Sequence, residues 1–169
     1  MRSHLTGRCF AVATLAAAIL SVVACSQERP GDTYAPGLGE IMTLTQMRHA
    51  KLWLAGQVEN WPLASYELDE LEEGFDDAVE YHPTHKDSRV LIKDVLPAMT
   101  AAPIQALRSA VEDKDSTRFA QAFDALTAAC NSCHQATDFG FNVVVRPSGN
   151  TFRNQDFSLP ADLQAGHQE

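Results

Sequence analysis

Phe119, Phe123, Leu126, Cys130, Cys133 and Thr137 recur at alternating intervals of four and three residues, the spacing that gathers side chains on one face of an α-helix. This stripe predicts a helix that begins after Asp115 or Ser116, either of which can cap it. It also predicts that both cysteines lie on the buried face, beside the phenylalanines.

Three further segments carry the same kind of pattern. From Glu40 to Gln57 there is no proline, and Ile41, Met42, Thr45, His49, Leu52, Trp53 and Gly56 fall within one arc, the face expected inside. Met47 and Leu54 lie nearly opposite and need a second contact surface. Trp61-Pro62 marks a break, with proline suited to a first helical turn. From Leu63 to His82, the positions Ala64, Leu68, Leu71, Phe75, Ala78 and His82 form a second stripe. The other side of that segment is acidic (Glu67, Asp69, Glu70, Glu72, Glu73, Asp76, Asp77 and Glu80), either a solvated face or a docking face for a cationic protein. After a loop from His82 to Ser88, a third element begins near Asp87 and ends near Val111. Pro97 and Pro103 predict that it is kinked or split into two shorter helices. Four helices, short loops and almost no strand signal before Val143 predict an all-α fold, an antiparallel four-helix bundle with an extended C-terminal tail. An irregular α domain is the alternative.

The first 25 residues read as processing signal. Arg2 and Arg8 precede an apolar run from Phe10 to Val23, shorter than the roughly 20 residues of a spanning helix. Val22-Val23-Ala24-Cys25 resembles a bacterial lipobox, which predicts lipidation of Cys25; the other reading is ordinary cleavage nearby, with Cys25 an incidental thiol. Ser26 fits sorting to the outer membrane, and 26–39 reads as a flexible tether. The expected location is therefore periplasm-facing, held to the membrane by lipid alone. Of the 13 basic side chains, removal of Arg2 and Arg8 leaves 11 against 22 acidic ones, a formal charge of −11. Nucleic acid and anionic lipid surfaces are poor partners for such a chain. Cys9 leaves with the signal, so Cys130 and Cys133 are the cysteines of the folded body, too few for a disulfide framework.

The pair sits in Cys130-Asn131-Ser132-Cys133-His134. Two cysteines separated by two residues and followed at once by histidine form the c-type haem attachment signature: two sulfurs for the porphyrin and an imidazole for its iron. Covalent attachment suits an exported protein, which has no free haem pool to refill its site. Zinc needs four ligands, and His82 and His85 are the only candidates to complete the set. A redox pair belongs at a helix start, where the dipole lowers a thiol pKa, and this pair comes near a helix end. A pair of plain core cysteines leaves His134 unexplained. No nucleophile, base and orienting partner can be assembled from the spacing, so an enzyme is not expected.

A tethered helical bundle with CxxCH on its last helix resembles the four-helix cytochrome c-prime family over Gly39 to about Thr137. The resemblance implies one haem c bound through Cys130, Cys133 and His134. It also implies a basic residue near the haem propionates and, one turn on, an apolar or methionine residue over the open iron face, for which Arg48 and Leu52 stand in the right relation. The chain departs from that family after His134. The usual aromatic-basic pair is missing from "CHQATDFGF", and about 35 residues follow His134. "RHAKLWLAG", "NWPLA" and a terminal "NQDF" resemble a set of exported bacterial cytochromes more closely, and that resemblance implies haem binding without a defined role.

The sixth iron position decides the chemistry: a Met or His ligand makes an electron carrier, and an open face admits NO or CO. Met42 and His49 lie on the inward arc and are the candidate distal ligands, each with ordinary core packing as the other reading. Arg48 and Arg146 are candidate propionate partners, each with a surface ion pair as the other reading. Phe139, Phe141 and Val143 to Val145 are expected to lie over the haem edge or a helix groove, and 158–169 to be disordered. The expectation is single-electron transfer with a partner protein, with a homodimer as in related bundles. The alternatives are a gas-binding haem protein and a haem-free metal module.

Overall fold

The computed structural model describes residues 34–86 and 88–158. The signal, the lipobox with Cys25, most of the tether, Asp87 and 159–169 lie outside these residues. Four helices follow in order: α1 Leu38–Gln57, α2 Trp61–Tyr81, α3 Ile92–Glu112 and α4 Ser116–Ala136. Each packs on the next in sequence, and α1 also meets α4, which closes the antiparallel four-helix bundle. No described helix is long and apolar enough to cross a membrane.

Three of the helices end in the same way. After α1, α3 and α4 the residues Glu59, Lys114 and Asp138 take left-handed φ values of 59°, 55° and 65°. Each turn is closed by a pair of hydrogen bonds back to the last helical turn. Asn60 and Glu59 donate to Ala55 and Gly56, Asp115 and Lys114 to Ala110 and Val111, and Phe139 and Asp138 to His134 and Gln135. This Schellman closure satisfies carbonyls that would otherwise lack partners. Asn60 and Asp115 then serve twice, because their side chains accept from the first amides of α2 and α4. The corners are tight for this reason. Glycine occupies none of the three left-handed positions, and a Cβ there is strained. Lys114→Gly should therefore raise stability by about 1 kcal/mol, read as a higher urea midpoint with an unchanged slope.

Pro97 and Pro103 both lie inside α3, which runs on as a single helix. Pro97 is exposed, as is Lys93, whose carbonyl loses its usual amide and can turn to water. The element begins at Ile92, later than the expected start near Asp87. The inward stripes are as expected except at Met42, His82 and Cys130, which are half-buried. Ile41, Thr45, His49, Leu52, Trp53 and Gly56 are buried on α1; Leu54, on the far side, is buried as well.

The two ends of the bundle differ. At one, Trp53, Trp61, Phe119 and Phe123 form an aromatic cluster with ring centroids 5.0–6.2 Å apart, and Asn60 donates 2.9 Å to the carbonyl of buried Phe157 in the tail. Gly56 permits this packing: a Cβ there would stand 2.2 Å from two ring carbons of Phe119. Gly56→Ala should lower stability by about 1–2 kcal/mol. The clash, typically about 1–3 kcal/mol, outweighs the roughly 1 kcal/mol of helix propensity gained, because two indoles confine the ring. A thermal melt unchanged or raised by the substitution would contradict this packing.

Candidate functional site

The opposite end of the bundle is open. The N-terminal turns of α1 and α3 and the C-terminal ends of α2 and α4 surround a cavity of about 300 Å³, with a smaller space of about 70 Å³ adjoining it. Leu38, Ala78, Ile92 and Leu96 give the larger cavity apolar walls. Met42, Cys133, His134 and Asn142 border both spaces, and Cys130 and His49 border the smaller. The helical stripe thus delivers both cysteines and the histidine of CNSCH to one apolar space.

Cys133 is buried and Cys130 half-buried, and both are free thiols. Burial, with the neighbouring Cys133 adding to it, pushes the Cys130 thiol up to about 11, and burial raises Cys133 as well. A redox-active pair needs the reverse, a thiolate stabilised near neutrality. His134 places Nδ1 2.5 Å from the carbonyl of Asn142. A carbonyl can only accept, so Nδ1 carries the proton and Nε2 keeps the lone pair. Metal-binding histidines are commonly oriented in this way, with the second nitrogen held by a carbonyl.

Of the two candidate distal residues, Met42 borders both spaces and is partly buried. His49 is 3% exposed. Its Nε2 lies 2.9 Å from Thr127 Oγ1, and that hydroxyl in turn donates to the Phe123 carbonyl. With the Thr127 proton committed, His49 Nε2 is the donor and Nδ1 the lone-pair nitrogen. The ring also packs 4.4 Å from Phe123, and burial holds its pKa down to about 4. Leu52 is fully buried and borders neither space.

Arg48 and Arg146 are elsewhere. Arg48 binds Glu67 at 3.1 Å and Glu70 at 2.7 Å. Arg146 pairs with Asp124 and stacks 4.2 Å over the Trp53 ring. Neither borders the cavity. The basic side chains at its edge are Lys86 and His85, both packed against Phe139. Nothing in the sequence separated Lys86 from other loop lysines; its place depends on the α2–α3 corner meeting the α4 turn. The tail divides too: Phe139 and Val144 border the cavities, while Phe141, Val143 and Val145 are exposed. His82 is engaged by the Pro36 carbonyl.

The donors suit a c-type porphyrin: two protonated thiols on one helix face, an imidazole with a free Nε2 and apolar walls. A cavity near 300 Å³ is at the small end for a cofactor. No protein-family model, curated protein or solved structure matches this chain.

Proposed function

We propose that this chain is an exported c-type haem protein that transfers single electrons, with Cys130 and Cys133 as the attachment residues and His134 as the iron ligand through Nε2. Cys130 and Cys133 would hold the porphyrin by adding their S–H bonds across its two vinyl groups, an addition that needs no oxidant. The bound cofactor supplies a one-electron couple, and the chain supplies orientation and a dry setting. The observation that carries this reading is the delivery of Cys133 and His134 to an apolar cavity with the His134 tautomer already set by a carbonyl. Met42 is the favoured sixth ligand, because it borders both spaces whereas His49 borders only the smaller.

The reading extends to lipid anchorage at Cys25, a periplasm-facing position and a cationic redox partner. The acidic face available to such a partner is the later part of α2, Glu73, Asp76, Asp77 and Glu80. Earlier in the helix Glu67 and Glu70 bind Arg48, and Asp69 and Glu72 bind Arg108.

The test is expression of the full chain in a host with haem-maturation machinery. Intact mass should show one added haem that survives denaturing electrophoresis and disappears in C130A/C133A. Colourless protein, or protein carrying zinc, would remove this reading. A ferrous spectrum unmoved by CO, and altered by Met42→Ala, marks a closed electron carrier. A spectrum shifted by CO in the unaltered chain supports the gas-binding alternative, which the apolar walls around Met42 also suit.

A further inference from the structure

After the α4 turn the chain doubles back along the helix. Three polar rungs join the two: Asn142 to His134, Val144 to Asn131, and Arg146 to Asp124. The middle rung is double. The Asn131 carboxamide accepts from the Val144 amide at 2.8 Å and donates to the Val144 carbonyl at 2.9 Å, so one side chain occupies both backbone groups of one residue, as a neighbouring strand would. Apolar burial contributes little to holding this segment. Phe141, Val143 and Val145 are 81%, 63% and 68% exposed, and Val144 alone of the three valines turns inward. Polar rungs therefore position it.

Asn131 and His134 are three residues apart on α4, hence neighbours on its surface. They engage strap residues two apart, a matching separation in extended chain. We propose that Asn131, in a variable position of the CxxCH motif, is a positioning residue: it clamps the 142–146 strap so that the Asn142 carbonyl holds the His134 imidazole in one tautomer and one orientation. The arrangement pre-forms the iron-binding nitrogen before any cofactor arrives. Its consequence for the metal rests on the haem reading above. A carbonyl accepting from Nδ1–H makes the imidazole a stronger donor, which favours ferric iron and lowers the potential.

Two readouts separate this claim from the haem reading. In the full chain without haem, ¹⁵N spectra of the His134 ring should show a single Nδ1–H tautomer. In Asn131→Ala the two ring nitrogens should average, and exchange of the ring proton should quicken at least about tenfold, as expected for loss of two ordinary hydrogen bonds. Ser132→Ala, at an exposed neighbour that bonds only within its own helix, should leave both unchanged. If Asn131→Ala does not fold, the unaltered chain still decides. The Val144 amide and the His134 ring proton should give one common opening free energy once each rate is divided by that group's intrinsic exchange rate, since one opening releases both. A folded Asn131→Ala chain that keeps a single tautomer overturns the proposal, as do unequal opening free energies in the unaltered chain. In haem-loaded protein, Asn131→Ala should raise the midpoint potential. Protein that takes up no haem sinks the electron-transfer reading and leaves the tautomer result standing on its own.

Discussion

Replacing Arg48 with alanine is expected to cost about 3 kcal/mol of folding stability, and adding Glu67→Gln to the same chain should return part of that loss. The Glu67 side chain is 1% exposed, among the most deeply buried in the molecule. A carboxylate there is tolerable because Arg48 reaches it at 3.1 Å while holding Glu70 at 2.7 Å. The Tyr66 ring lies 5.5 Å from the guanidinium carbon. Removing the arginine strands a negative charge away from water, which costs about 3–5 kcal/mol for a fully buried pair. Arg48 is 22% exposed, so the lower end applies. Glutamine at 67 carries no charge to strand, and the double variant should therefore be more stable than Arg48→Ala alone. Urea unfolding of the four chains of this cycle gives the coupling directly. If Arg48→Ala falls within about 0.5 kcal/mol of the parent, the ordinary range for surface substitutions, Glu67 does not depend on it and the assignment fails.

Arg48 also shows where sequence reading stops. Its position on α1, one turn from Leu52, suited a propionate partner, but periodicity gives the direction of a side chain from its own helix and not what the neighbouring helix offers it. Glu67 sat in an acidic run that reads as a solvated face, and only the packing of α1 on α2 turns it inward. The helices themselves were legible because burial repeats at the helical period: the α4 stripe placed Cys133 and Thr137 inside, and the α1 arc placed Thr45 and His49 inside. The prolines left a kink or a split open, and α3 is not split. Pro97 removes one hydrogen bond, yet on an exposed face water can replace it, so α3 continues. The strap is legible only in part. Its valines announced an extended segment, but which of them faces the bundle depends on Asn131, a residue with no pattern of its own.

Below neutrality the folded chain without haem should lose stability at about 1 kcal/mol per pH unit between about pH 6 and 5, and His49→Gln should flatten that slope. Burial lowers the His49 pKa from 6.5 to about 4, since protonation would put a charge among Phe123, Thr127 and the cavity wall. Between those two values the unfolded chain binds a proton that the folded chain refuses. Stability from this group is therefore fully present above pH 6.5 and is lost as pH falls toward 4, in total about 3 kcal/mol. Carboxylates titrate mostly below pH 5, which leaves the upper part of the window to histidine. Glutamine can still donate to Thr127 and carries no titrating group, so it isolates the charge from the hydrogen bond. The check is urea unfolding of both chains at pH 6.5, 6.0, 5.5 and 5.0. A flat profile in the unaltered chain would mean that His49 accepts a proton in the folded state, and with it that the inner wall of the cavity is wetter than its side chains imply.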